Sequence, residues 1–514
     1  MIRFALPILF AVSATALYVL SPLVDPDLWW HLVVGRWVLA HHEAPRVDHW
    51  NALAAGREWI SYSWAAEVLF ARVEQAGGFL GLFFLKALLC VLLVASLFGC
   101  YWSRARDWLT AALLSLVVLA GVAPALMLRP QTIAFILLVW LLYALSLVRE
   151  RLEAGALGPA LRASVLALFV IVVWSNVHVS AVLAPGIVFC WLMGRSNVRG
   201  SWPVPLVAAG VCGGATLINP HGLGLYRASF DSALHPMLYQ AILEFSPLTI
   251  FQPGAGMLLV LLVWMAVVFL SRPEHAERFR ILLMGGFTVL ALTAVKFLPL
   301  ASLIAGAVLA DLWGNAHGER AYFGMFGRQV ARLEGQLHGV RWGLVTSVLG
   351  MLCAVLLVGR LQQPPALLAR IPESAWDYVE QHNLQPPLLN RFGDGGYLMF
   401  RTADENGVPA KWRVAVDGRT TVLTPEEFAD YYALELGLPN WRTFVQRVQP
   451  RTIVWKVDTP LFSVLEADPA WTLVYDERSD SSRRVGERWA VFVPVGKTYP
   501  RKEGPVTPSE NLDR

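Results

Sequence analysis

Two acidic residues, Asp25 and Asp27, stand close together in the stretch VDPDLWWHL, residues 24–32, and His31 follows four positions after the second. A carboxylate held in such a setting can take a proton from an attacking hydroxyl or amine, which is the role of a general base. Asp also commonly caps the first turn of a helix, so a structural interpretation stays open. We predict Asp27 as the base, Asp25 as its alternative, and His31 and Asp48 as binding residues of the same site.

Polar and cationic residues occur near the ends of several apolar segments later in the chain. Ionisable groups at membrane depth are costly and usually face a cavity, a partner or a substrate. Each type also has a structural alternative, since Lys can extend to the interface, Arg can contact lipid phosphate and His can be a hydrogen-bonded packing residue. The predicted substrate-binding residues are Lys86, Arg129, Asn176, His178, Asn219, His221, Glu244 and Lys296.

These residue types suit group transfer away from a phosphate. Negative charge grows on the phosphate as its bond to carbon breaks, so fixed cations such as Arg129 and Lys296 stabilise the transition state more than the ground state. A carboxylate on the opposite side of that carbon would deprotonate the acceptor. Attack from that side inverts the configuration of the carbon.

The composition indicates a membrane protein with many spans. Of the 514 residues, 56% are hydrophobic and 16% are charged, and the mean hydropathy is +0.50. Soluble chains carry about a quarter charged residues. The net charge of +4 and the lack of a basic stripe argue against a nucleic-acid partner. The five Cys lie in apolar runs without the spacing of a metal site, so we expect them to be core residues.

Apolar runs of span length predict about eleven transmembrane helices before residue 360. The first run has no clear small-residue cleavage site and is predicted to stay as a helix. Arg residues concentrate at alternate ends of the runs, which places the N-terminus in the cytoplasm and residues 360–514 outside. The predicted spans are 4–21, 79–101, 108–126, 131–148, 163–177, 179–194, 203–219, 255–271, 281–296, 298–313 and 342–359.

The predicted fold is mainly α: a transmembrane helix bundle, residues 1–359, followed by a small extracytoplasmic α/β or α+β domain, residues 360–497. The first outer loop, 22–78, is expected to form two helices at the membrane surface, near 28–40 and 61–77. In the second domain WRVAVDG and RTIVWKV have strand patterns, and TPEEF begins a helix with a capping box. FGDGGYL and VDGR are interpreted as structural turns. Residues 498–514 are predicted to be disordered.

The motif DLWWHL, residues 27–32, is similar to the Asp, spacer, two aromatics, polar pattern after the first span of oligosaccharyltransferase catalytic subunits. Together with RPQ, WSNVH, NPHG, FGDGGYL and VDGR, it also resembles bacterial membrane proteins of the GT-C superfamily of polyprenyl-phosphate-dependent glycosyltransferases, of oligosaccharyltransferase or mannosyltransferase type. The resemblance implies a GT-C-like bundle whose large first outer loop carries a catalytic Asp. Asp27 corresponds to that residue and Asp25 is its neighbour.

One stretch departs from this pattern. Oligosaccharyltransferases carry further acids in a second outer loop that help to hold a divalent metal, and the corresponding stretch GVAPALMLRPQ has none. Metal-free relatives are therefore the better analogy, and a divalent cation, if bound, would be held by Asp25, Asp27 and Asp48. The C-terminal region also lacks the acceptor-recognition motif of those enzymes, so glycosylation of an Asn sequon is not supported.

The sequence thus predicts an inverting glycosyltransferase of hexosyltransferase type in the cytoplasmic (inner) membrane. Its partners would be a polyprenyl-phosphate-linked sugar donor, the lipid bilayer and an unidentified extracytoplasmic acceptor, which is a glycan, a lipid or a protein. Two alternatives from other classes stay open. One is a transporter or flippase of a lipid-linked saccharide, and the other is a non-enzymatic envelope assembly protein that binds through residues 370–497.

Overall fold

The computed structural model describes residues 25–106, 108–193, 203–271, 278–316, 370–479, 487–496 and 502–503, with isolated positions in 12–18 and 348–359. The chain forms two compact units, each built from separate stretches. The helical unit comprises Met1–Leu23, Phe79–Leu225 and Ile242–Gln363. The mixed unit comprises Val24–Gly78, Tyr226–Ala241 and Pro364–Arg514.

Helices make up the described part of the helical unit. The long helix Trp64–Ala105 (α2) has a non-helical residue at Gly78, and its part from Phe79 onward belongs to this unit. Short 3-10 turns at Val179–Leu183, Leu243–Phe245 and Val295–Phe297 connect later elements. The helices are α2 (Trp64–Ala105), α3 (Trp108–Val122), α4 (Pro130–Glu153), α5 (Leu157–Val177), α6 (Ala184–Met193), α7 (Pro203–Thr216), α10 (Ala255–Ser271), α11 (Arg278–Thr293) and α12 (Leu298–Ala316).

Helix α12 lies at the centre of the helical unit and packs against α3, α4, α10 and α11. Small residues allow the close approach that helices in membranes use. A Cβ at Gly121 would lie 2.9 Å from Oγ of Ser302, and one at Gly306 would overlap the side chain of Tyr101. Apolar side chains such as Phe84, Phe169 and Val263 are exposed on the outside, as lipid-facing residues would be.

Four described helices are long and apolar enough to cross a membrane, and five shorter apolar helices of 10–17 residues accompany them. Each predicted span between residues 79 and 313 contains one of these helices. The predicted spans 4–21 and 342–359 fall largely outside the described residues. The count of about eleven spans is not confirmed, because several apolar runs break into a short helix and a 3-10 turn.

The mixed unit contains a five-stranded sheet of order β1-β2-β4-β3-β5. Strand β1 is parallel to β2 and β3 is parallel to β5, whereas β4 is antiparallel to both of its neighbours. A small mixed sheet with helices matches the predicted kind of domain. The strands are β1 (Leu388–Asn390), β2 (Thr452–Lys456), β3 (Trp471–Asp476), β4 (Trp489–Pro494) and β5 (Lys502–Glu503).

The two helices predicted in the first loop are present as Asp27–His41 (α1) and the first part of α2, whereas their position at a membrane surface stays a prediction. The capping box of α15 is also confirmed, with Thr424 and Glu427 bonded to each other's backbone. The helices are α1 (Asp27–His41), α8 (Gly224–Leu234), α9 (Leu238–Ala241), α13 (Glu373–Gln381), α14 (Gly395–Thr402), α15 (Pro425–Glu435), α16 (Arg442–Val448) and α17 (Pro460–Ala467).

Two predictions for the C-terminal stretch differ from the structure. WRVAVDG is not a strand of the sheet, because Val414 instead forms an isolated parallel bridge with Asn51 of the first loop. Within the segment predicted to be disordered, residues 502–503 form β5 beside β3. The other residues of 498–514 lie outside the described residues.

Candidate functional site

The two acids of the first loop stand at the beginning of helix α1. Oδ1 of Asp25 accepts a hydrogen bond of 2.8 Å from the N–H of Asp27, and the carbonyl of Asp25 accepts one of 3.0 Å from Leu28. Asp25 is buried, whereas Asp27 is half-buried in the first helical turn. Asp25 therefore satisfies the start of the helix, and Asp27 has the more accessible side chain.

Glycines of the C-terminal stretch pack directly against this helix start. A Cβ at Gly418 would overlap Oδ1 of Asp27 and would lie 3.1 Å from Nε1 of Trp30. A Cβ at Gly396 would lie 2.7 Å from the carbonyl oxygen of Pro26. VDGR, interpreted from sequence as a structural turn, thus packs against the predicted base itself. FGDGGYL, which forms a 3-10 turn and the start of α14 instead of only a turn, packs against the residue before that base.

A buried charged cluster lies next to Gly418 in the chain. The guanidinium of Arg419 contacts both carboxylate oxygens of Asp417, at 2.7 and 2.9 Å, and its Nη1 is 2.6 Å from Oδ2 of Asp48. It also lies over the rings of Trp50 and Trp59. Burial opposes the charge of Arg419, but the two carboxylates outweigh it and raise its pKa. The structure therefore places Asp48, predicted to bind substrate, inside a buried ion pair.

His31 is also buried in a polar contact. Its Nδ1 lies 3.1 Å from Oε1 of Glu67, and Oγ of Ser61 donates to the other carboxylate oxygen at 2.9 Å. The His31 ring packs against the Trp30 ring at a tilt of 36°, with centroids 3.6 Å apart. Helix α1 approaches α2 closely here, since a Cβ at Gly35 would overlap the carbonyl of Glu67. His31 thus joins the two loop helices.

The helical unit brings four of the predicted binding residues together. Nη1 of Arg129 lies 2.6 Å from Oε1 of Glu244, and Nζ of Lys296 lies 3.4 Å from the ring centroid of Phe245. His178 interacts electrostatically with Arg129 and Lys296, and Lys296 with Glu244. These side chains come from the N-cap of α4, the C-cap of α5 and two 3-10 turns. We call Arg129, His178, Glu244 and Lys296 the cationic cluster.

Two other predicted residues, Asn176 and Asn219, hold backbone turns in the helical unit, and the predicted residue His221 is bound there through its backbone N–H. Nδ2 of Asn176 donates to the carbonyls of Val172 and Ile218, both at 2.8 Å. Nδ2 of Asn219 donates to Thr216 at 2.7 Å, and its Oδ1 accepts from the backbone N–H of His221 at 2.8 Å.

Lys86 has a separate setting. It is 1% exposed, and its Nζ lies 5.7 Å from the ring centroid of Tyr18. The described contact of Lys86 is therefore a cation–π contact with Tyr18, which is not a member of the cationic cluster.

Sequence reasoning missed several charged residues. It interpreted VDGR as a structural turn and so assigned Asp417, Gly418 and Arg419 no part in the site, although an Asp and an Arg flank the glycine. It also missed Asp311, which is buried in α12 and lies 2.5 Å from Nε of Arg104. The available signal for Asp311 was a single acid inside a long apolar segment.

The acids of the first loop do not form a metal-ligand set. In the described part of the chain no group of three or more His, Cys, Asp or Glu residues is arranged to hold a metal ion. The cluster considered from sequence was Asp25, Asp27 and Asp48, and Asp48 is instead paired with Arg419.

No protein-family model matches the chain, and no curated protein matches it by sequence. Solved structures do match. The archaeal oligosaccharyltransferase AglB from Archaeoglobus fulgidus, in complex with an inhibitory peptide and a dolichol-phosphate, has a TM-score of 0.56 at 11% identity, over 88% of this chain and 69% of that one. ArnT from Cupriavidus metallidurans, bound to undecaprenyl phosphate, has a TM-score of 0.48 at 14% identity, over 96% and 98%.

The arabinofuranosyltransferase AftD from mycobacteria has a TM-score of 0.45 at 16% identity, over 96% of this chain and 42% of that one. At such low identity a structural likeness establishes the fold alone. Here it rests on the oligosaccharyltransferase, whose TM-score is 0.56. The chain therefore shares the fold of the archaeal oligosaccharyltransferase AglB.

Proposed function

We propose that the protein is an inverting glycosyltransferase of the cytoplasmic membrane. It moves a sugar from a polyprenyl-phosphate-linked donor to an acceptor on the extracytoplasmic side. The GT-C fold supports this class of reaction, and the match to an oligosaccharyltransferase solved with a dolichol-phosphate supports a lipid phosphate as the donor's leaving group. The observation that carries the proposal is the position of Asp27 in the first turn of helix α1.

Asp27 is the proposed general base. As the acceptor oxygen or nitrogen attacks the anomeric carbon, the Asp27 carboxylate takes the acceptor's proton. The bond between that carbon and the phosphate oxygen breaks, and the phosphate leaves with the electron pair. Attack opposite the leaving group inverts the anomeric centre. Asp25 supports this role by fixing the backbone N–H of Asp27.

The cationic cluster is the proposed phosphate-binding site. Arg129 and Lys296 supply two positive charges against the single carboxylate of Glu244. This excess favours an incoming phosphate, and its effect grows as charge develops on the leaving group. The Arg129 fork can also bind two phosphate oxygens at once. Asn176, Asn219 and His221 would shape the adjacent turns rather than contact the phosphate.

Replacing Asp27 with Asn tests the proposal most simply, because it removes the base and keeps the size of the side chain. Asp458→Asn is a matched control, since it makes the same change at a carboxylate that is 72% exposed. The assay measures release of undecaprenyl phosphate from undecaprenyl-phosphate-linked pentoses and hexoses, with a cell-envelope extract as acceptor. We expect Asp27→Asn to lose roughly 100-fold to 10,000-fold in rate.

Full activity of Asp27→Asn would remove this residue from the mechanism. A purified protein that moves fluorescent undecaprenyl-phosphate-linked sugar across vesicles, without releasing undecaprenyl phosphate, would instead support a flippase. The Asp458→Asn variant should match the unmodified protein in both assays.

A further inference from the structure

We infer that the VDGR segment, residues 416–419, positions the proposed base and that Gly418 and Arg419 are positioning residues for Asp27. This inference rests on the proposed function. It gives the C-terminal stretch a role in catalysis that the sequence pattern did not indicate, and it changes the role of Asp48 from substrate binding to anchoring.

The segment is anchored first through charge. Arg419 contacts Asp417 within the segment and Asp48 in the first loop, and all three side chains are at most 1% exposed. Asp48 is itself fixed, because its Oδ1 accepts from the backbone N–H groups of Trp50 and Asn51 at 3.1 and 2.7 Å. Separating a buried ion pair leaves uncompensated buried charges and is therefore costly, so the contact between Arg419 and Asp48 holds the segment close to the first loop.

The backbone before Gly418 is held from two sides. On the side of the first loop, the N–H of Ala52 donates to the carbonyl of Val414 at 2.8 Å, and Nδ2 of Asn51 donates to that of Ala415 at 3.0 Å. On the side of the sheet, Nδ2 of Asn390 donates to the carbonyl of Val416 at 2.8 Å. The segment therefore cannot shift relative to the first loop without losing several bonds.

Gly418 leaves the space that the Asp27 carboxylate occupies beside the anchored segment. A side chain there would overlap Oδ1 of Asp27 and crowd Nε1 of Trp30. Because the surrounding backbone is fixed, an Ala at this position would displace the Asp27 side chain rather than the segment. Misplacing a catalytic group by about 1 Å can lower a rate roughly 100-fold.

The effect should fall on kcat and not on KM for the donor. Asp27 acts on the acceptor's proton in the transition state, whereas the donor phosphate is assigned to the cationic cluster. Removing an interaction that exists only in the transition state lowers kcat and kcat/KM equally. A general loss of folded protein would instead lower the apparent amount of active enzyme, which titration with a tight-binding donor analogue would detect.

The test compares Gly418→Ala with Gly393→Ala in the full-length protein. Gly393 is an exposed glycine of the neighbouring turn where an added Cβ meets nothing within 4 Å, so it is a matched control. Kinetics use release of undecaprenyl phosphate, and hydrogen–deuterium exchange follows the backbone of residues 25–33. For Gly418→Ala we expect kcat to fall roughly 100-fold with KM unchanged, and exchange in 25–33 to increase. Gly393→Ala should match the unmodified protein.

Arg419→Lys adds a graded variant, because Lys keeps the charge but cannot reach both carboxylates with a planar fork. It should retain an intermediate kcat. If Asp27→Asn is inactive while Gly418→Ala keeps full kcat, the positioning inference is wrong and the proposed function stands. If the protein transfers no sugar at all, the proposed function fails. If hydrogen–deuterium exchange in residues 25–33 is then the same in Gly418→Ala as in the unmodified protein, the positioning inference fails as well.

Discussion

The charged groups of the mixed unit and those of the helical unit are built differently. Around Arg419 the guanidinium and two carboxylates are at most 1% exposed and contact each other. In the cationic cluster the Arg129 side chain is 17% exposed and its partner Glu244 is 42% exposed. Charged groups that are fully enclosed have no room for a substrate. Arg129, in contrast, can release its exposed partner Glu244 and bind a substrate phosphate instead. This difference supports the proposal that the first group anchors the fold and that the second group binds the substrate.

The largest effect is expected in the enclosed group. Arg419→Met should destabilise the protein by about 3–5 kcal/mol, because it leaves Asp48 and Asp417 buried without a counter-charge. Thermal unfolding in detergent measures this as a marked fall in Tm. Arg227→Met, at a pair whose side chains are 61% and 63% exposed, is the control and should change Tm little. An equal fall in both variants would contradict the proposed difference.

An intermediate effect is expected in the cationic cluster, and on binding rather than stability. Arg129→Gln should raise KM for an undecaprenyl-phosphate-linked sugar about tenfold to 100-fold, because it removes one charge-assisted contact to the donor phosphate. Its Tm should stay close to that of the unmodified protein, since Glu244 can turn to solvent. Donor kinetics and unfolding are measured on the same preparation. A large fall in Tm with unchanged KM would contradict the binding role of the cationic cluster and indicate a structural role for Arg129.

The smallest effect concerns a buried acid that has no cationic partner within hydrogen-bond reach among its described contacts. Asp394 is enclosed beside Trp489, whose Nε1 donates to it at 2.9 Å, and burial raises its pKa from 3.8 to about 7. A raised pKa means that the folded state favours the protonated acid. Its contribution to stability is therefore full below about pH 4 and is lost as the pH rises through about 7.

Asp394→Asn removes this penalty and should gain a few degrees in Tm relative to the unmodified protein at pH 8, but not at pH 5. Unfolding at the two pH values measures the difference. A gain of the same size at both pH values would mean that ionisation of Asp394 is not its cause.

Local patterns predicted much of the fold. Helix α1, the first part of α2 and the capping box at Thr424 follow from periodicity and cap residues a few positions apart. The nearness of Arg129, Glu244 and Lys296 could also be anticipated, because the predicted topology places all three on the outer side of the membrane.

Contacts between distant parts of the chain were not predictable in this way. Trp50 donates to the carbonyl of Gly407, 357 positions away, and Asp48 pairs with Arg419 over a similar separation. The alternation in WRVAVDG predicted a strand, but only Val414 forms a bridge, and its partner Asn51 lies in the first loop. The sequence alone does not indicate the importance of Gly418, because that importance comes from the Asp27 carboxylate that a side chain at this position would overlap.

The most direct test of the proposed phosphate site is a cryo-electron microscopy structure of the full-length protein with undecaprenyl phosphate. We predict that the phosphate lies within hydrogen-bond distance of Arg129 or Lys296, with Glu244 displaced from Arg129. A phosphate bound elsewhere, with the ion pair between Arg129 and Glu244 intact, would contradict the assignment of the donor site.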